Sequence, residues 1–375
     1  MQDSTTKIQQ PELSKPENGW AFFFKPNEGL WYHIKGPVKE FVDELQVDNS
    51  IEQYSAGFAE SGFYFKRFAS DSALHFIYGE ADVVVEEHLG LLLGDCLRKS
   101  NIKHIESIAD STLRLDFDRE IIGIKEEIES GKFIKMVAAR KRTWEIESWD
   151  EAQLLSILID LKANYLQTFV FVVFTEDLGL WIGATPEQLI TLKHSQANIM
   201  ALAGTLTEEQ SHWTTKEQEE QQVTHDFIGK AIYAMDLPFS PLETSIREIN
   251  LKRVKHLLRE WKFQLNYKDV YRLVEALHPT PAVGGFPQKE SVTWLEQNET
   301  FDRKLYTGWL GYADPKNETI DFYVVLRCGE LFSNALTCYA GCGVNLGSDL
   351  EVEWKETEYK LAMLADVVFK HIKPH

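Results

Sequence analysis

Hydrophobic positions recur along this chain at two periods, and the switches between them predict its elements. Alternating or continuously apolar runs read as strands across 20–35 and 54–87, among them Phe63–Phe68 and Leu74–Tyr78. Phe133–Trp144 reads as a strand, and Phe169–Phe174 and Leu180–Gly183 as two strongly apolar ones. Further strands are expected across 188–203, near 261–266, and at 306–313, 319–328 and 335–340. Helical spacing marks 117–130, 149–163, 215–235, 249–257, 267–277 and a last helix beginning near Glu351. In that last helix Trp354, Leu361, Leu364, Val368 and Ile372 form an apolar stripe, so it packs on a body. Residues 1–18 are polar and read as loose. Runs of consecutive strands with interspersed helices point to an α+β protein with antiparallel sheets. No Gly/Ser/Pro-rich linker interrupts residues 20–375, which predicts one compact domain.

Composition narrows the partners. A net charge of −19 argues against nucleic acid and anionic membrane surfaces, and it means that an anionic ligand needs a local positive pocket or a metal. No run approaches the length of a membrane span, and the N-terminus lacks the apolar core of a signal peptide. Together with the cysteines Cys96, Cys328, Cys338 and Cys342, whose spacing fits no common zinc pattern, this predicts a cytoplasmic protein with core thiols. The absence of a long exposed apolar segment leans toward a monomer.

Two helices carry candidate chemistry. Glu353, Glu356 and Lys360 stand at i, i+3 and i+7 and share one face, directly after the Gly-rich turn Ala340–Ser348. Two carboxylates and an ammonium beside exposed backbone N–H groups suit Mg2+ and an anionic ligand; a solvated charged face is the alternative. In the helix over 216–232, Val223, Phe227 and Ala231 form the expected apolar stripe and Glu220 continues it. A carboxylate aimed at a core needs an ion partner or a metal. Glu217 and Glu219 are offset and read as solvated.

Seven blocks, in order, resemble the chorismate-utilising enzymes of the isochorismate synthase type. They are Lys135–Arg140, Gly183–Leu189, Ala201–Thr205, Lys216–Ile232, Leu277–Gly285, Tyr306–Gly311 and Ala340–Leu361. The resemblance covers residues 131–361, and residues 1–115 match the family's variable N-terminal part only loosely. It implies a single domain over 1–375, with 116–375 carrying the motifs, built as large antiparallel sheets packed as a sandwich with helices outside. The departures are small: Ala138-Ala139 where Leu-Ser is commoner, Thr185 for Ser, Gln221 for His and Cys342 for Ala.

The family attacks C2 of the chorismate ring while the C4 hydroxyl leaves, and the resemblance distributes those tasks. Lys135 matches the base that activates water, which requires a lowered pKa. Glu187 matches the general acid, which requires a raised one. Glu220 and Glu356 match the ligands of Mg2+, with Glu353 bounding the same site. Tyr306 and Arg327 match residues that hold the enolpyruvyl carboxylate; Lys360, Gly341 and Gly343 lie near the same ligand, and Thr205 and His278 match pocket-lining positions, although His278, before Pro279, reads equally as a structural loop histidine. Lys135 favours water over ammonia, so no amidotransferase partner is expected. The implied reaction is chorismate to isochorismate, feeding menaquinone or siderophore synthesis. The alternatives are a salicylate synthase that also eliminates pyruvate, an anthranilate or aminodeoxychorismate synthase subunit, and a carboxylate-binding protein without catalysis.

Overall fold

The computed structural model describes residues 18–41, 58–69, 71–105, 111–165, 167–235, 237–251 and 253–375. Of the stretch expected to be loose, 1–18, residues 1–17 lie outside the described residues and Asn18 opens the first strand. The chain opens with strands β1 (Asn18–Lys25), β2 (Leu30–Phe41), β3 (Gly62–Lys66), β4 (Leu74–Tyr78) and β5 (Asp82–Val84). Helices α1 (Glu86–Leu97) and α2 (Arg114–Glu129), strand β6 (Lys135–Glu145) and helix α3 (Glu151–Asn164) follow. Next come β7 (Phe169–Thr175), β8 (Gly179–Thr185), β9 (Gln188–Lys193), β10 (Gln196–Thr207) and α4 (Thr215–Tyr233). After them run β11 (Leu242–Glu243), β12 (Arg247–Leu251), β13 (Val254–Gln264), α5 (Val270–Leu277), β14 (Gly285–Phe286) and α6 (Gln288–Asn298). The last part holds β15 (Trp309–Asp314), β16 (Thr319–Val324), β17 (Cys328–Leu331), β18 (Ala335–Val344) and α7 (Leu350–Val368).

The strands form two antiparallel layers. One runs β5–β2–β1–β7–β8–β17–β18–β6–β14. The other runs β4–β3–β15–β16–β9–β10–β13, with β11 and β12 on the far edge of β13. Strand β2 joins the layers: residues 30–37 pair with β1 and 38–41 with β4.

Alternation explains why the layers stack. In β1, Ala21 and Phe23 enter the core between the sheets, while Trp20, Phe22 and Phe24 point outward beneath helices. Strand β7 divides the same way, Phe169, Phe171 and Val173 inward and Val170, Val172 and Phe174 outward. Burial on both faces is why these strands read as unbroken apolar runs. Helices α1, α3 and α7 cover the outer face of the first sheet, α4 and α5 that of the second, and α2 and α6 close the end near β6 and β18. This is the α+β sandwich with outer helices that the family resemblance implied.

Four local expectations fail. Of the Gly-rich turn expected over 340–348, residues 340–344 belong to β18. Residues 249–257 are not a helix but the hairpin of β12 and β13, paired from Leu251↔Val254 to Arg247↔Leu258. Apolar Ile249, Val254, Leu257 and Leu258 mimic helical spacing, but β13 pairs along nearly all of β10 and that long-range ladder decides. Strand was expected up to 87, whereas α1 begins at Glu86 and buries Leu89, Leu93 and Cys96 at helical spacing. The run 319–328 is broken between β16 and β17, where Arg327 takes φ 49°.

Candidate active site

The first residues of β6, the β8–β9 turn, the end of β10, helix α4, β13, the segment before β17, β18 and α7 converge on one cavity. Its walls include Lys135, Glu187, Thr205, Glu220, Tyr306, Arg327, Gly341, Gly343 and Lys360, nine residues that sequence reasoning had singled out. Positions 135 to 360 meet because β6 and β18 are neighbours, Gly341 opposite Ala139 and Gly343 opposite Val137.

The base and acid candidates differ in environment. Lys135 is buried, and burial, followed by the charges of Lys216 and Lys360, lowers its pKa, although Glu220 opposes this. Its Nζ stands 3.8 Å from Glu220 Oε2. Glu187 is buried in the β8–β9 turn, and burial pushes its carboxyl up to about 8 against the pull of Arg327, Lys135 and Lys360.

The acidic cluster is knitted by lysines. Lys360 Nζ donates to the Gly341 carbonyl at 2.8 Å and to Glu356 Oε1 at 2.5 Å. Lys216 Nζ lies 2.6 Å from Glu353 Oε1 and 3.6 Å from Glu220 Oε1. Burial disfavours the Lys216 ammonium, yet Glu220, Glu353 and Glu356 raise its pKa well above the ordinary value. Burial pushes Glu353 up to about 7 against the pull of Lys216, with Glu356 and Glu220 adding to the rise. Glu356 moves the other way: burial is outweighed by Lys360 and Lys216, which hold it ionised.

Helix α4 buries a different face from the one expected. Glu217, Glu220, Gln221, Thr224, His225, Ile228 and Ile232 are buried, while Val223, Phe227 and Ala231 flank them half-buried. Glu217, expected to be solvated, instead forms a capping box with Thr214, its Oε2 accepting the Thr214 N–H at 2.8 Å. Gly343 lies against the same helix, and a Cβ there would fall 2.3 Å from Glu220 Oε2, so the carboxylate would have to move.

Sequence reasoning missed His256. It sits in β13 with its side chain in the cavity wall, and accepts the Arg327 Nη2–H at Nε2 over 2.9 Å. Its Nδ1 faces the Gly204 carbonyl at 3.1 Å and Thr205 Oγ1 at 3.3 Å. Gly204, at φ 76°, makes the bulge in β10 that turns that carbonyl toward the histidine. No local signal marked it, since Leu257 is buried beside Val254, His256 and Leu258 and blurs the alternation of a strand. Lys216 was likewise given no role. His278 is corrected: it does not line the cavity, and its Nε2 lies 3.1 Å from the Arg67 carbonyl in a packed loop.

Mg2+ is the group that the resemblance implies. Among the described residues no three histidine, cysteine or carboxylate side chains already converge as a metal-ion set. The donor chemistry nonetheless fits, since Glu220 Oε1 and Glu353 Oε2 are buried without a hydrogen-bond partner and carboxylate oxygens suit a hard cation.

Comparison with known proteins places this geometry. Residues 95–369 match the family model described as chorismate binding enzyme. The isochorismate synthase MenF of Haemophilus influenzae is 28% identical over 249 residues, covering 64% of this chain and 57% of that protein. The chloroplastic isochorismate synthase of Catharanthus roseus is 27% identical over 312 residues, covering 78% of this chain and 53% of its own. The chain thus spans little more than half the length of these relatives. Among solved structures, the putative 2,3-dihydroxybenzoate-specific isochorismate synthase DhbC of Bacillus anthracis superposes with a TM-score of 0.73 at 22% identity, covering 93% of this chain and 95% of that one. Component I of the anthranilate synthase of Streptococcus pneumoniae shares the fold as well, with a TM-score of 0.62 at 16% identity over 97% of this chain and 95% of that one. The family model takes in strands β6 to β18 and the whole cavity wall, and the chain belongs to the chorismate-binding enzyme family.

Proposed function

We propose that this protein is an isochorismate synthase, converting chorismate reversibly to isochorismate without a covalent intermediate. The observation that carries the reading is the opposite shift of two buried groups in one cavity, Lys135 down and Glu187 up to about 8. Neutral Lys135 Nζ takes a proton from the water whose oxygen bonds C2. The ring double bonds shift, the C4–O bond breaks, and the departing hydroxyl takes the Glu187 proton and leaves as water. Arg327, held by His256, and the Tyr306 hydroxyl receive the enolpyruvyl carboxylate. Glu220 and Glu356, with Glu353 beside them, would hold Mg2+, which when bound supplies charge neutralisation for the ring carboxylate.

Lys135 favours water as nucleophile, so the chain works without an amidotransferase partner, as a cytoplasmic monomer feeding menaquinone or siderophore synthesis. No helix among the described residues is long and apolar enough to cross a membrane. We read 1–375 as one domain with the motifs in 116–375, supported by the pairing of β1 with β7 and of β3 with β15.

The test is incubation of the purified protein with chorismate and Mg2+, with products resolved by chromatography and mass detection. An isomer of unchanged mass, lost on chelation, is expected. Salicylate plus pyruvate would make the protein a lyase-capable relative. An amino product with ammonium would overturn water as nucleophile, and no turnover of any kind would leave a carboxylate-binding protein.

A further inference from the structure

One buried cation outside the cavity joins two of its walls. Arg303 is 1% exposed and does not line the cavity. Its Nη1 donates to the Val283 carbonyl at 2.8 Å, and its Nη2 to the Val137 carbonyl at 2.6 Å. Its Nε is held between the two oxygens of Glu299, at 2.8 and 2.9 Å. Val137 and Val283 both line the cavity, one on the strand that carries Lys135, the other on the facing turn.

The local hydrogen bonding explains why an arginine is needed. Strand β14 covers the edge of β6 only at Lys135 and Met136. Beyond it, the Val137 N–H still finds the Gly284 carbonyl at 2.8 Å. The Val137 and Val283 carbonyls are both acceptors and cannot satisfy one another. A guanidinium presents two N–H donors at a fixed separation and can bind both at once, whereas an ammonium is a single point donor that cannot span them in a fixed geometry. Glu299 supplies the counter-charge and sets the direction of the fork. On the same strand edge, Glu120 Oε1 accepts the Ala139 N–H at 3.1 Å, so side chains take over where the neighbouring strand stops.

We propose that Arg303 is a positioning residue: by clamping the Val137 and Val283 carbonyls together it fixes the strand that carries Lys135 against the opposite cavity wall. Lys135 and Val137 are two apart on one strand and share its face, so a shift at the clamp is passed to the Lys135 amine. The inference rests on Lys135 acting as the base, and its test separates the two ideas.

The test is a double-mutant cycle with Arg303→Lys and Lys135→Ala, following kcat and KM for chorismate together with the thermal midpoint. Arg303→Lys is expected to remain folded and to lower kcat by ~10^2 with KM little changed, because misplacement by about 1 Å is enough for that loss. In the Lys135→Ala background the same substitution should cause no further fall in kcat, since a base already removed cannot be misplaced. An equal fold-loss in both backgrounds would overturn the proposal and leave Arg303 a packing residue. Wild-type turnover in Lys135→Ala alone would instead overturn the assignment of the base. If Arg303→Lys does not fold, Glu299→Gln, which keeps an acceptor for Nε but removes the counter-charge, enters the same cycle with the same expectations.

Discussion

Arg327 Nη2 donates to His256 Nε2 at 2.9 Å, and both side chains are buried in the cavity wall. Burial, followed by the charges of Arg327 and Lys360, holds the His256 pKa well below its ordinary value, so the ring is neutral. A neutral ring that accepts at Nε2 carries its proton on Nδ1, where the Gly204 carbonyl receives it. The histidine thus aims the guanidinium without competing for charge. His256→Ala removes a hydrogen bond to a charged group, for which ~10- to 100-fold in kcat/KM is expected. The loss should fall mainly on KM, because Arg327 grips the substrate carboxylate in ground and transition states alike. Steady-state kinetics decide; an unchanged KM would remove this pair from substrate binding.

Lys135→Ala should leave ligand binding intact and reduce turnover by ~10^2 or more, as removal of a general base does. The acid limb of the rate profile carries the same information. Burial lowers the pKa of Lys135, so wild-type turnover rises with pH as the ammonium loses its proton. That limb should vanish from the residual activity of the variant. Rates matching wild type across the profile would take Lys135 out of the mechanism.

Gly343 connects the glycine-rich strand to the acidic cluster by contact. A methyl at that position would stand 2.3 Å from Glu220 Oε2, so Gly343→Ala must push the carboxylate away. Displacing a ligand's support commonly weakens metal affinity by ~10- to 100-fold, and that range is expected here. The readout is the rise in thermal midpoint with added Mg2+, compared with wild type and with Glu356→Gln. Identical titrations in all three proteins would put the metal elsewhere.

How far the sequence led depended on how local each signal was. Glu220 and Lys360 were legible because helical spacing aimed ionisable side chains at one face, Glu187 and Arg327 only through the family resemblance, and all four line the cavity. Even there the buried face of α4 was misplaced, because charged Glu217 and polar Thr224 and His225 share the core side while Val223 and Phe227 sit at its margin. His256 was lost with the helix expected over 249–257. Nothing within that stretch distinguishes it from a helix; its pairing with β10, some fifty residues earlier, does. Arg303 and Lys216 were given no role from sequence, because burial of a charge is set by partners distant in sequence, such as Val137 and Glu353. Motif and chemistry could be read locally, but the clamp and the lysine network could not.

Glu187 gives a prediction whose sign can be worked through. Its carboxyl titrates at about 8 in the folded protein, above its ordinary value of 4.5, mainly because burial penalises the charge. Between those values the folded form binds a proton that the unfolded form has lost. The stability that this group contributes is therefore complete below about 4.5 and is lost as the pH climbs to about 8, at up to ~1.4 kcal/mol per pH unit. Glu187→Gln keeps the shape and cannot ionise. Its stability relative to wild type should grow across that window and level off above it. Glu353, pushed up to about 7, bends both curves in the same direction, but it cancels in the difference between the two proteins. Turnover gives the companion signal: wild-type activity should fall above pH ~8 as the acid loses its proton, and Glu187→Gln should be low throughout. Thermal midpoints of both proteins from pH 5 to 9 provide the measurement, and two parallel curves would mean that Glu187 is an ordinary ionised carboxylate and not the acid.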